Sequence, residues 1–98
     1  MSVEWCETAV SHLRTIRDSR HWKSAGYGQA IVDRIFHRAK QLDSNAYHGS
    51  EVTEYGDPNI REVFEYPYRI IYRVIDERVL IVTVLHSSRQ IPETLPKT

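Results

Sequence analysis

Two different spacings of apolar residues divide the chain near residue 50. In the first half Ala9, Val10, Leu13 and Ile16 recur at three- and four-residue intervals, while Arg14, Arg17, Asp18 and Arg20 take the remaining arc, as in an amphipathic surface helix. The spacing predicts a short strand over Ser2 to Trp5 and a helix that opens at Glu7 or Thr8 and ends near Trp22. Ser24, Gly26 and Gly28 interrupt the pattern, and Tyr27, Ala30, Ile31, Ile35, Ala39 and Leu42 resume it, so a second helix capped by Ser24 completes an αα-hairpin. Asp43 to Ser50 is polar and closes the helical half.

From Glu51 onward the composition is that of strands: Glu51 to Tyr55, Ile60 to Phe64, Tyr68 to Ile75 and Val79 to His86, with turns at Gly56-Asp57-Pro58-Asn59 and Asp76-Glu77. A two-residue turn at Asp76-Glu77 places Arg73 opposite Leu80 and Arg69 opposite Val84. One face then carries Tyr68, Ile70, Tyr72 and Val74 with Val79, Ile81, Thr83 and Leu85. The other carries Arg69, Ile71 and Arg73 with Leu80, Val82, Val84 and His86. Both faces are apolar, so the helical hairpin is expected to cover one and leave the second partly open, edged by Arg and His. The resulting fold class is α+β: a short strand and an αα-hairpin packed on a three- to four-stranded, mainly antiparallel sheet. The 98 residues form one domain, with residues 87–98, which hold Pro92 and Pro96, as a partly mobile tail.

Charge narrows the range of partners. Thirteen basic residues balance thirteen acidic ones, which removes the bulk field behind non-specific nucleic-acid or anionic-membrane binding. Any anion contact must come from local clustering, and ten of the thirteen cations are Arg, whose planar fork suits carboxylate and phosphate. The single Cys6 allows no internal disulfide, and MSVEW has no signal-peptide character, so a reducing cytoplasm is the expected location. The Val79–Leu85 run is far short of the roughly 20 residues a membrane helix needs. Five scattered His and one Cys show no zinc spacing, and no metal or cofactor is expected.

The candidate chemistry lies in Arg61, Arg69, Arg73, His86 and Arg89, with Arg69, Arg73 and His86 projecting from one side under this register. They suit an anion site for RNA phosphate or a partner's carboxylates, and His86 alone among them has an ordinary pKa fit for proton transfer near neutrality. The structural alternative is ion pairing with Glu51, Glu54, Glu62 or Glu65. Tyr66, Tyr68 and Tyr72 read as core or interface residues. Trp5 and Trp22 read as packing residues, and His12, His21, His37 and His48 carry no assigned role.

The segments Asn59-Ile60-Arg61-Glu62-Val63, Pro67-Tyr68-Arg69-Ile70-Ile71-Tyr72-Arg73-Val74 and Val79 to Arg89, the last ending in His-Ser-Ser-Arg, resemble the RelE/ParE toxin superfamily over nearly the whole chain. The resemblance implies the toxin of a bacterial type II toxin–antitoxin pair, of the kind linked to plasmid stabilisation, neutralised by the C-terminal segment of a cognate antitoxin that wraps around it. RelE-like members cut mRNA on the ribosome, and ParE-like members inhibit DNA gyrase. Arg69 and Arg89 correspond to the cutters' phosphate-binding and transition-state arginines. Ile60 and Glu62 stand where paired lysines would fall, and no tyrosine follows in the tail. Together with the neutral balance, this favours the ParE-like branch, with no catalytic residue and with Arg61, Arg69, Arg73, His86 and Arg89 as partner-binding residues. The alternative is a ribosome-dependent endoribonuclease using Glu62, Arg69, His86 and Arg89.

Overall fold

The computed structural model describes residues 1–98 apart from the side chain of Ala25. Strand β1 (Ser2–Trp5) leads into helix α1 (Glu7–Arg17) and helix α2 (Ala25–Lys40), followed by β2 (Ser50–Glu51), β3 (Ile60–Glu65), β4 (Tyr68–Ile75) and β5 (Arg78–His86). All the strands form one sheet in the order β1-β5-β4-β3-β2. β1 runs parallel to β5 and every other pair is antiparallel. The expected three or four strands are therefore five, because β1 joins the same sheet and the two residues of β2 form its far edge.

Local chemistry sets the helix bounds. Cys6 precedes α1 in extended backbone and its Sγ accepts from the Ala9 N–H at 3.5 Å, the role a Ser or Asp cap usually fills. The thiol also reaches the Val82 carbonyl, at 3.5 Å. The helix stops at Arg17 rather than Trp22. The Ile16 carbonyl accepts from the Ser19 N–H and the Trp22 indole, so it does not continue the helical ladder. Trp22 then packs on Tyr27 with centroids 5.1 Å apart. Gly28 lets α2 come close to this corner, since a Cβ there would lie 2.2 Å from the Arg17 carbonyl oxygen. The expected strand over 51–55 shortens to β2 because Thr53–Tyr55 is a single 3-10 turn.

The helices cover one side of the sheet, where Ala9, Ile31, Ile35, Ala39 and Leu42 meet Val63, Ile70, Tyr72, Ile81 and Val84 in a buried cluster. Tyr72 is fully buried, donating to the Ala46 carbonyl at 2.7 Å and accepting from the Gly49 N–H at 3.1 Å. Burial pushes its phenol pKa up. Gly49 has no room for a side chain, since a Cβ would stand 2.4 Å from the Glu62 carbonyl oxygen.

The β4–β5 hairpin corrects the expected register. Arg73 does face Leu80 across the turn, where Asp76 adopts φ 53°, a left-handed conformation Asp tolerates. Ile71 pairs with Thr83 while Tyr72 pairs with Ile81, leaving Val82 as an extra residue. Beyond this bulge every side chain changes sides. Arg69 faces Leu85 rather than Val84, and His86 stands opposite Tyr68. The tail is also corrected, because it packs across the sheet side away from the helices. Arg73 donates to the Pro96 and Leu95 carbonyls at 3.0 and 3.3 Å, the Tyr55 hydroxyl donates to the Pro92 carbonyl, and Leu95 is buried.

Candidate functional site

The sheet side opposite the helices carries Ile60, Glu62 and Phe64 of β3 beside Arg73, Ile71 and Arg69 of β4. Glu62 and Arg69 lie diagonally across the two strands, so a carboxylate and a guanidinium meet edge to edge. Arg69 Nε and Nη2 donate to the two Glu62 oxygens at 2.7 and 3.0 Å, with the side chains only 16% and 12% exposed. These hydrogen bonds are the first cause that raises the Arg69 pKa. The guanidinium also lies 6.0 Å over the half-exposed Phe64 ring. Burial raises the Tyr55 phenol nearby, opposed by Arg69. Arg73 is held by the tail carbonyls, so this side presents a neutralised pair and a strapped arginine.

The remaining candidates lie elsewhere. Arg61 pairs with Tyr72 and so projects to the helix side, where it donates to the Gly49 and Pro58 carbonyls and stacks 5.3 Å over Tyr47. His86 packs edge-on against Tyr68, 5.7 Å between centroids. The bulge at Val82 thus separates it from Arg69 and Glu62, and the expected Arg69, Arg73 and His86 group is not on one face.

Where β1 ends, the outer edge of β5 is bordered by α1, and a cleft of about 560 Å³ opens between them, flanked by the start of the tail. His12, Tyr68, His86, Ser88 and Arg89 line it, with His21. His12 had no role in the sequence. Its partner, the Val84 N–H, donates to His12 Nδ1 at 3.2 Å from 72 residues away, a backbone contact that leaves no trace in side-chain patterning. Burial first, and then Arg89, lower the His12 pKa below 6.5. Among the described residues no group of His, Cys, Asp and Glu could hold a metal ion, and no helix is long and apolar enough to cross a membrane.

A helical hairpin laid on one side of a bulged five-stranded sheet, with an arginine-bearing opposite side, defines a class of small α+β domains. The model of the family described as the ParE toxin of the type II toxin-antitoxin system parDE matches residues 3–91, and the chain belongs to that family. A solved structure described as the chromosomal ParDE TA system from P. aeruginosa has the same fold. It is 21% identical, with a TM-score of 0.72 over 88% of this chain and 95% of that chain. No curated protein matches.

Proposed function

We propose that this ParE-like toxin acts in the cytoplasm by inhibiting DNA gyrase through protein contact, and that a cognate antitoxin neutralises it with an extended segment. The single observation that carries the non-catalytic reading is the arrangement of Glu62, Arg69 and His86. The first two close on each other through two hydrogen bonds, while the bulge sends His86 to the other side of the sheet. A nuclease built on Glu62, Arg69, His86 and Arg89 needs general acid, base and phosphate clamp around one scissile bond. Here the groups do not converge. Balanced charge agrees, since a protein target requires no large basic field.

The antitoxin segment is expected on the sheet side opposite the helices, where the tail already accepts hydrogen bonds from Arg73 and where Arg69 lies. Arg61 and His86 lie on the other side of the sheet, so they, with Arg89, are further contacts in this reading for the part of the segment that wraps around the edge of the protein. Among the described residues Arg89 belongs to no ion pair, so its charge is available to a partner carboxylate.

The test is to titrate antitoxin-free protein into a gyrase supercoiling assay, with and without ATP, scoring lost supercoiling and cleaved-DNA complexes. Inhibition that the antitoxin reverses is expected. No effect from folded, antitoxin-binding protein, together with mRNA cleavage on ribosomes, overturns it.

A further inference from the structure

The cleft between α1 and β5 combines His86 and Arg89, which the toxin reading uses as antitoxin contacts, with His12, which that reading leaves unused. The His12 ring is fixed by the Val84 N–H, which donates to Nδ1. In the neutral ring the hydrogen therefore sits on Nε2. The same holds for His86, whose Nδ1 accepts from the Ser88 N–H at 3.1 Å and lies 2.7 Å from Ser88 Oγ. Two imidazoles are thus set by backbone donors to present an Nε2–H, and both line the cleft. Arg89, exposed and in no ion pair among the described residues, lines it as well. None of the described lining residues is Asp or Glu. The Ser88 hydroxyl is committed to His86 Nδ1, so two imidazole N–H groups and a full positive charge without a counterion form the donor set for a compact anion. About 560 Å³ exceeds what one phosphate fills and falls in the range of small-molecule sites. Ile16 and Pro92 supply apolar wall.

We propose that the cleft formed by His12, His86, Ser88 and Arg89 is a binding site for a phosphoryl group, with room for the organic part of a small phosphorylated molecule such as a mononucleotide. The phosphoryl oxygens take the Arg89 fork and the two imidazole N–H groups, and the organic part lies toward Ile16 and Pro92. The inference rests on the cleft alone, so a negative gyrase assay leaves it standing.

The experiment uses the full chain labelled with ¹⁵N and long-range imidazole spectra, titrated separately with inorganic phosphate, adenosine 5′-monophosphate and adenosine. Both phosphoanions are expected to shift the His12 and His86 Nε2 resonances, adenosine is not, and Arg89→Gln should weaken both about tenfold. Arg89→Lys, which keeps charge but loses the fork, should fall between. Tighter binding of the nucleotide identifies a phosphorylated organic ligand, and equal binding identifies free phosphate. Absence of ring shifts with either phosphoanion, or shifts that Arg89→Gln leaves unchanged in a variant with native backbone spectra, overturns the proposal.

Discussion

The Glu62–Arg69 pair is the contact whose strength decides how this toxin can use its sheet surface. The perturbation is a double-mutant cycle of Glu62→Ala, Arg69→Ala and the double variant. An exposed ion pair contributes about 0.2–1 kcal/mol, but this one has two hydrogen bonds, at 2.7 and 3.0 Å, between side chains 12% and 16% exposed. Hydrogen bonds to charged groups contribute about 1.5–3 kcal/mol net. The residual exposure lowers that, and the expected coupling is about 1.5–2.5 kcal/mol. Loss of the Arg69 contact with Phe64 occurs in both arms that remove Arg69 and cancels in the cycle. Urea unfolding of the four proteins at low and high salt measures it, and a half-buried pair should keep most of its coupling in salt. A coupling below about 0.5 kcal/mol would refute the reasoning, because Arg69 would then be free to meet a partner. With the expected value, any partner carboxylate must first compete with Glu62.

Three further outcomes are expected. Tyr72→Phe leaves the Ala46 carbonyl and the Gly49 N–H without their buried partner and should cost about 1–3 kcal/mol in denaturant unfolding; a neutral result would mean the loop repairs itself. Gly28→Ala gains about 0.5–1 kcal/mol of helix propensity, yet the 2.2 Å approach to the Arg17 carbonyl forces the helices apart, so net destabilisation of about 1–2 kcal/mol is expected, and a raised melting temperature would contradict it. His12 has a folded-state pKa below its ordinary 6.5. The unfolded chain therefore binds the extra proton first, and this contribution to stability, complete above 6.5, is lost as pH falls through 6.5 toward the folded value. Unfolding at about pH 7.5 and about pH 5.5 should show a loss that His12→Asn removes, and an equal loss in the variant counts against this assignment.

Much of the fold was legible because its signals are local. The helical spacing of Ala9, Leu13 and Ile16, the break at Ser24 to Gly28 and the turn at Asp76-Glu77 each act within a few residues. The bulge was not, because Val79 to Leu85 is apolar at nearly every position. A strand buried on both sides offers no alternation to mark where an extra residue enters, and that one residue moved His86 away from Arg69. The tail was misread for a related reason. Its anchors are backbone carbonyls met by Arg73 and Tyr55, and a carbonyl has no side-chain identity to read. His12 escaped notice in the same way, its partner being the backbone of Val84.

The parallel pairing of β1 with β5 bears on when the protein can fold during synthesis. Ser2 to Trp5 are among the first residues made, yet their partners are Arg78 to Ile81. The Cys6 thiol that caps α1 likewise waits for the Val82 carbonyl. Such long-range closure is slow and comes late. A nascent chain therefore carries the apolar faces of both helices without a sheet to cover them until β5 has emerged. A chain terminated before β5 lacks the strand that joins β1 to the rest of the sheet, so the fold is complete only when nearly the whole chain has been made.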